Sequence, residues 1–401
     1  MDQIKNAIIS AAESMKDEIL GLSHFIHANP ELSFQEYKAA DAICALLEKH
    51  GFTPERNYCG FPTSFRASKK GREGGPKIAF MAEYDALPEI GHGCGHNVIA
   101  AISVGAFLAS AAVIENFAGE VVLIGTPAEE NGGGKVLMLE RGGFDDIDFA
   151  MMIHPCTGDI QLLGRGGRAC CEISAAYHGR AAHSSWPANG INALNSLISL
   201  FNHIDMTRPL FHSEDNINGI ITHGGTASNV IPDYARAAFT ARSDTMFHLQ
   251  QLIGRVRTSA ETAGALTGAE LDFRVGPIYA ERYMNRPMEA ALQKNAAFLG
   301  EKMVFAVPMP GLGSSDAGNV SIAIPTMHEY LSISFEPATC HHADFAAAAT
   351  SERADTACMI GAKGLAMTAA DVLADPAFQQ EIRRSHKEQV PECYKELMHD
   401  A

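Results

Sequence analysis

The sequence predicts an α/β protein: a mostly parallel, doubly wound sheet with an inserted, ferredoxin-like α+β domain. Three short apolar runs lack polar alternation, and plausible helices at 98–112 and 135–140 connect them, which is typical of parallel strands buried on both faces. The three runs are 77–82, 121–125 and 149–153. Between about 170 and 277 the predicted order changes to β-α-β-β-α-β, the ferredoxin-like pattern. The sequence therefore predicts two kinds of sheet in one chain.

Length and composition limit the classes of protein to consider. The chain has 401 residues, enough for two or three domains at roughly 150 residues each. Lys plus Arg number 31 against 47 Asp plus Glu, so the net charge of −16 argues against a nucleic acid or an anionic membrane as partner. The nine cysteines show no disulfide-framework spacing, the N-terminus lacks a signal-like apolar core, and no apolar run approaches roughly 20 residues. We therefore expect a soluble cytoplasmic protein.

The N-terminal region is predicted to be helical. Apolar residues recur at helical spacing from Ile4 to Leu22, which predicts one opening amphipathic helix. Ser33 and Glu36 form an S-x-x-E pattern that predicts a capping box at the start of a second helix. Gly51 is a suitable C-terminal stop for that helix.

The inserted domain divides the chain into three predicted segments, with the glycine-rich stretch 164–167 and the stretch 279–285 as hinges. Its predicted elements are a strand at 170–178, a helix at 191–203, strands at 217–223 and 234–243, a helix at 247–264 and a strand at 271–275. The predicted domains are a catalytic domain formed by 1–169 and 280–401, and an inserted lid or dimerisation domain at 170–279. Ala-rich helices are predicted from about Asp344 onward.

Polar residues follow each of the three apolar runs. Asp85 comes after the first run, Glu129 and Glu130 after the second, and His154 ends the third. Because ligands of open α/β sheets gather beyond the carboxyl ends of the strands, these side chains mark the expected site.

The densest cluster of candidate ligands is the glycine-rich segment 91–97. It contains Cys94 and His96, and a thiolate and an imidazole are both good ligands for zinc and similar ions. On its own, a C-x-H spacing is equally compatible with an incidental glycine-rich turn. A metal site at this segment is supported only if other predicted ligands lie close to it in the fold.

The remaining candidates support such a convergence. Glu129 and Glu130 are adjacent, so one side chain can bind a metal while the other faces a water molecule, an arrangement that suits hydrolysis. A solvated turn is the alternative, disfavoured by the apolar run before the pair and the glycines after it. His154 and the segment 340–342 (Cys-His-His) would each be ordinary structural residues in isolation. Because five or more ligands exceed the needs of one tetrahedral ion, together they predict two metal ions.

Two motifs of the inserted domain have both a functional and a structural interpretation. They are Gly179 to His183 and Ala227 to Pro232. Their polar side chains either reach over the metal site as part of a lid or cap strands of their own domain.

An ordered set of motifs along nearly the whole chain resembles a known family. The motifs are 26–33, 85–88 (Asp-Ala-Leu-Pro), 91–97, 127–130 (Pro-Ala-Glu-Glu), His154-Pro155, 179–183, 229–232 and His341 with Phe345. The set is similar to the aminoacylase-type dinuclear metallopeptidases and amidohydrolases, which include hippurate and auxin-conjugate hydrolases. Asn97 and the segment 313–321 most resemble the aminobenzoyl-glutamate hydrolase branch.

The resemblance implies a role for each matching residue. The implied metal ligands are Cys94, His96, Glu130, His154 and His341. The implied catalytic residues are Glu129 as general base, Asp85 as the group that orients a ligand histidine, and His183, from a neighbouring subunit, as the group that stabilises the oxyanion. The implied substrate-binding residues are Asn229 and Arg242 for a carboxylate, and Ser314 and Ser315 for the pocket. A homodimer formed by the small domain is also implied.

The chain departs from the family pattern at three places. Gly93 stands where Ala is usual. His341 and His342 are neighbours, and we choose His341 as the ligand because its spacing to Phe345 matches. The segment 328–330 reads His-Glu-Tyr where His-Pro-Tyr is expected in the nearest branch, which leaves the acyl group open.

The leading functional hypothesis is an amidohydrolase that cleaves an N-acyl or N-aroyl amino acid, or a dipeptide-like amide, through a metal-bridging hydroxide. The expected cofactors are two divalent ions, zinc or manganese with cobalt also acceptable. A metal-assisted deaminase and a non-catalytic metal- or peptide-binding homologue are the alternatives. A hydrolase with Cys94 as nucleophile has the least support, because no oriented Cys-His pair can be argued beyond the C-x-H loop.

Overall fold

A computed structural model describes residues 1–159, 161–307 and 313–394 of the chain. These residues form two compact units. The first contains 1–159, 161–166, 282–307 and 316–394, and the second contains 167–281 and 313–315.

Helices and strands alternate through much of the described chain. The helices are α1 Asp2–Ser14, α2 Lys16–Ala28, α3 Tyr37–Lys49, α4 His96–Ala111, α5 Gly134–Glu140, α6 Ala193–Thr207, α7 Met246–Thr267, α8 Arg286–Phe298, α9 Ala317–Ala323, α10 Ala343–Ala348, α11 Glu352–Ala374 and α12 Pro376–Gln389. The strands are β1 Glu55–Arg56, β2 Phe65–Lys70, β3 Arg72–Ala82, β4 Ala118–Gly125, β5 Phe149–Cys156, β6 Gln161–Leu163, β7 Ala169–His178, β8 Ala182–His183, β9 Asn216–His223, β10 Val230–Ile231, β11 Tyr234–Ser243, β12 Glu270–Val275, β13 Met303–Phe305 and β14 Thr326–Ser332.

The first unit is built on an eight-stranded sheet whose centre is parallel. Among the described residues its strand order is β1-β2-β4-β3-β5-β14-β6-β13. The pairs β3 with β4, β3 with β5 and β5 with β14 are parallel, whereas β2 pairs with β4 antiparallel. The three apolar runs form β3, β4 and β5, with α4 and α5 as their connections. The prediction of a mostly parallel sheet with helical crossovers is confirmed.

Helix α4 lies in the core of the first unit. Every residue from His96 to Ser110 is buried, as expected of a helix that is apolar on all sides. It packs closely on α11, which among the described residues is the one helix long and apolar enough to cross a membrane by length and composition. Within α11, 83% of the apolar window is buried inside the fold, which is typical of a core helix.

The second unit contains the predicted β-α-β-β-α-β elements. Its four described strands pair antiparallel in the order β12-β7-β11-β9, and α6 and α7 pack against this sheet. A separate short ladder joins β8 and β10, where His183 lies opposite Val230. The predicted ferredoxin-like arrangement is confirmed as the fold of this unit.

Two expectations for the N-terminal region are wrong. The opening helix is two helices, α1 and α2, which meet at Met15. Helix α3 begins at Tyr37, and Ser33 and Glu36 form no capping box. Their side chains make other bonds: the Ser33 hydroxyl donates to Asp85, and the Glu36 carboxylate accepts from the Ala128 backbone N–H, a partner 92 residues away. The side-chain oxygens that a capping box would use therefore form hydrogen bonds with residues that are distant in the sequence.

We expect Gly361→Leu to destabilise the first unit. A Cβ at this position of α11 would lie 2.8 Å from Ile102 Cδ1 of α4, so a larger side chain overpacks the helix contact. The expected loss in the free energy of unfolding is about 1–3 kcal/mol, although leucine is a better helix former than glycine. The measurement is urea denaturation.

The control is Gly21→Ala in α2, where no described atom lies within 4 Å of the added Cβ. This change should be neutral or stabilise by up to about 1 kcal/mol, and equal effects of both substitutions would contradict the expectation.

Candidate metal centre

The parallel strands bring the predicted residues to one edge of the first unit. Asp85 follows β3, Glu129 and Glu130 follow β4, and His154 lies near the end of β5. Because β4, β3 and β5 are parallel neighbours, their carboxyl ends point the same way. His96 begins α4 at the same edge, after Gly95, whose φ of 77° suits glycine.

His96 is held at the centre of a group of carboxylates. Its Nδ1 lies 2.9 Å from Asp85 Oδ1, so with Asp85 ionised the Nδ1 proton is donated to that oxygen. Its Nε2 faces Glu130 Oε1 at 3.6 Å, Glu83 Oε2 at 3.6 Å and Glu129 Oε2 at 3.8 Å. Burial alone would lower the pKa of His96, but the surrounding carboxylates, Asp85 first, raise it well above its usual value.

Asp85 connects the histidine to the glutamate loop. Its Oδ2 accepts bonds of 2.9 Å from the Ser33 hydroxyl and from the backbone N–H of Glu130. Burial alone would raise the pKa of Asp85, but His96 and these two donors lower it to about 2. The carboxylate is therefore ionised at neutral pH and fixes both the ring of His96 and the backbone of Glu130.

A sulfur-rich side of the cluster lies next to His96. Cys94 Sγ is 3.4 Å from His154 Nε2 and 3.6 Å from Cys340 Sγ. His154 Nδ1 lies 2.6 Å from the Pro155 carbonyl oxygen, which only accepts, so Nδ1 carries the proton and Nε2 presents its lone pair towards Cys94. Burial and the neighbouring His96 lower the pKa of His154 to about 4, which keeps its ring neutral. A neutral imidazole is the form that binds metals.

Glu130 lies between two histidines. While its Oε1 faces His96, its Oε2 is 3.5 Å from His341 Nε2. His341 has a φ of 66°, in the left-handed region that is strained for a residue with a side chain. His342 is the residue immediately before α10. Of the two neighbouring histidines, His341 is thus the one that faces Glu130.

The donor set fits divalent metal ions. Among residues 1–159, 161–307 and 313–394, the buried atoms His96 Nε2 and Glu130 Oε1 have no hydrogen-bond partner. Buried polar atoms without a partner are costly, and a cation satisfies both. The ligand atoms of Cys94, His96 and His154 lie within 4.8 Å of one another, and so do those of Glu83, His96 and Glu129. Sulfur, imidazole and carboxylate donors together suit zinc and similar ions.

A buried lysine balances part of this negative charge. Lys135 is fully buried, and its Nζ lies 2.5 Å from Glu83 Oε1 and 2.7 Å from Asp316 Oδ1. Burial, Glu83 and Glu130 raise the pKa of Glu129 well above its usual value. One lysine does not neutralise this whole group of carboxylates, so the cluster remains suited to added positive charge.

Sequence reasoning missed several residues of this cluster. They are Glu83, Lys135, Asp316 and, as a neighbour of Cys94, Cys340. A signal existed for Glu83, because it directly follows the first apolar run and so lies at the same strand end as Asp85. No local signal distinguishes Lys135 from a solvent-exposed lysine.

The other predicted site residues belong to the second unit, where they form two pairs. His183 and Asn229 lie at the β8–β10 ladder, and the Asn229 carbonyl accepts a 3.0 Å bond from the Ser184 N–H. Arg242 in β11 donates a 3.0 Å hydrogen bond to the Ser314 hydroxyl. Ser315 is buried beside Ser314.

Comparisons with known proteins identify the family. Residues 79–363 match the model of peptidase family M20/M25/M40, and the chain belongs to this family. It is 31% identical over 405 residues to the Xaa-Arg dipeptidase of Mus musculus, covering 96% of this chain and 93% of that protein. It is 28% identical over 347 residues to a subunit of the p-aminobenzoyl-glutamate hydrolase of Escherichia coli K12, covering 80% of this chain and 72% of that subunit.

The fold matches a solved structure of the same family. The dinuclear metal-binding peptidase YXEP of Bacillus subtilis superposes with a TM-score of 0.64 and 23% identity, covering 90% of this chain and 99% of that one. The predicted family is confirmed. With these relatives, the chain is a hydrolase that acts on amide or peptide bonds.

We expect Lys135→Met to destabilise the first unit by about 3–5 kcal/mol, because it leaves buried carboxylates without their cation. Thermal and urea unfolding of the metal-free protein measure the loss. The matched control is Lys70→Met, since Lys70 forms an exposed pair with Glu73 and should contribute at most about 1 kcal/mol. A loss at Lys135 no larger than at Lys70 would show that the buried lysine is not needed for charge balance.

Proposed function

We propose that this protein hydrolyses the amide bond of a dipeptide or of an N-acyl or N-aroyl amino acid with a free carboxylate. The observation that carries the proposal is that two adjacent glutamates lie in different positions relative to the histidines. Glu130 extends one oxygen towards His96 and the other towards His341, whereas Glu129 lies on the His96 side. One carboxylate can therefore hold two ions while its neighbour serves as a base.

Two divalent ions, zinc or manganese, are proposed as cofactors. Their proposed ligands are Cys94, His96, Glu130, His154 and His341. When bound, such ions polarise a carbonyl oxygen and lower the pKa of a coordinated water. The inward-facing Nε2 lone pair of His154 and the buried, unpartnered Nε2 of His96 support this assignment among the described residues.

Glu129 is the proposed general base. It takes a proton from the attacking water and later donates it to the leaving amine. Burial and the neighbouring carboxylates raise its pKa, which makes Glu129 a stronger base than an exposed glutamate. Glu83 contributes to that rise by placing a second buried carboxylate close to it.

Residues of the second unit are proposed to bind the substrate. Ser185 N–H donates to His183 Nδ1 at 3.1 Å, so the neutral ring carries its proton on Nε2. That proton is available to stabilise an oxyanion. Arg242 and Asn229 are proposed to hold the substrate carboxylate, with Ser314 fixing the guanidinium and Ser315 lining the pocket.

The names of the relatives define the substrates to test first. They are dipeptides with a C-terminal arginine and aminobenzoyl-glutamate, which share an amide bond next to a free carboxylate. We also propose a cytoplasmic homodimer, in which His183 is supplied by the neighbouring subunit.

We expect Glu129→Gln to retain its metals and to lose activity by about 10²-fold or more, because the amide cannot accept the proton. Metal analysis of the purified protein and kcat with a cleaved dipeptide are the two measurements. The control is Glu140→Gln at the exposed end of α5, which should leave both unchanged. Full activity of the Glu129→Gln protein would exclude Glu129 as the base.

We expect the metal-loaded protein to release an amino acid from N-acyl or N-aroyl amino acids or from dipeptides. Free amine and ammonia are measured in parallel, and ammonia as the product would favour the deaminase instead.

We expect Arg242→Met to raise KM for substrates with a free carboxylate about tenfold or more, because a charge-assisted hydrogen bond is lost. The KM of substrates whose carboxylate is amidated should hardly change, and an equal rise for both would refute the role of Arg242.

A further inference from the structure

We propose that Cys340 supplies a second thiolate ligand to the ion held by Cys94. This inference rests on the proposed metal site and extends it. The family resemblance assigns a single thiolate, Cys94, whereas in this chain a second thiol stands next to it.

The distance between the two sulfurs is the main argument. Cys94 Sγ and Cys340 Sγ are 3.6 Å apart. Two thiolates bound to one tetrahedral zinc, each at about 2.3 Å, are separated by about 3.8 Å. A disulfide would bring them to about 2.05 Å, and all nine cysteines are free thiols. The observed separation is close to the one that two thiolates on a single ion require, and much longer than a disulfide bond.

The imidazole of His154 is the other close neighbour of Cys94. A thiolate and an imidazole on one tetrahedral zinc lie about 3.5 Å apart, from bonds of about 2.3 and 2.0–2.1 Å. Cys94 Sγ and His154 Nε2 are separated by 3.4 Å. Cys94 thus has two neighbours at ligand distances: His154 lies in a group with His96, and Cys340 lies in a group with His341.

The backbone holds Cys340 in this position. The N–H of His341, the next residue, donates a 2.9 Å bond to the Gly93 carbonyl, which precedes Cys94. This bond joins the loop before α10 to the loop before α4. The ligand atoms of Cys94, Cys340 and His341 consequently lie within 4.8 Å of one another.

A second thiolate makes the site softer and therefore changes its metal preference. Thiolates favour zinc, whereas manganese prefers carboxylate, carbonyl and water oxygens. A site formed by two thiolates and His341 should discriminate strongly against manganese. Cys340 would in this way determine which of the two proposed metals the protein selects.

The direct test is the visible and near-ultraviolet absorbance of the cobalt-loaded protein under reducing conditions, because each cobalt–thiolate bond adds a sulfur-to-metal charge-transfer band. We expect Cys340→Ser and Cys94→Ser each to remove about half of that absorbance. Cys59→Ser, which changes a half-buried thiol elsewhere in the first unit, should remove none of it.

The outcomes separate this inference from the proposed function. Full absorbance in the Cys340→Ser protein, with cobalt still bound, would overturn the inference and leave the metal site intact. Failure of the unchanged protein to bind cobalt, zinc or manganese would instead overturn the proposed function.

A competition titration gives a second readout. Loss of a ligating thiolate should weaken the binding of zinc about tenfold or more and the binding of manganese much less. Equal weakening of both would indicate general distortion of the loop and would count against Cys340 as a ligand.

Discussion

The hydrogen bond between Asp85 and His96 is the constraint on which the rest of the centre depends. It joins two fully buried groups, one after strand β3 and one at the start of helix α4. Because the same carboxylate accepts the Glu130 N–H, one side chain positions an imidazole and the glutamate loop together. Without this hydrogen bond, the ring of His96 would have no fixed orientation. Its Nε2 would then not be held towards the carboxylates that surround it.

The second constraint is charge. The first unit buries Glu83, Asp85, Glu129 and Asp316, while Lys135 is the cation in contact with two of them. Burial of so much negative charge is unfavourable unless cations compensate it. Metal ions would therefore stabilise the folded chain as well as serve the reaction, because binding to the native state alone adds to the free energy of unfolding. Stability and the proposed reaction would then depend on the same carboxylates.

The two units contribute different physical properties. The parallel sheet provides closely spaced strand ends, which place acidic and imidazole groups with little freedom. The second unit provides exposed polar groups on a short ladder, such as His183 and Asn229, together with the Arg242–Ser314 pair. The first unit thus holds the closely packed donors, and the second unit holds the residues proposed to bind the substrate.

The sequence alone predicted the parallel strands, the ferredoxin-like insertion, the family and a set of candidate ligands, because these depend on local periodicity and on short motifs. It did not predict that Ser33 and Glu36 bond to distant groups in place of a cap. It also did not predict that Lys135 is buried between Glu83 and Asp316, or that Cys340 lies beside Cys94. Each of these depends on contacts between residues that are far apart in the sequence, and the two cysteines are 246 positions apart. Only the packing of the chain determines which polar side chains are buried away from water. Those side chains must then form hydrogen bonds or ion pairs with one another.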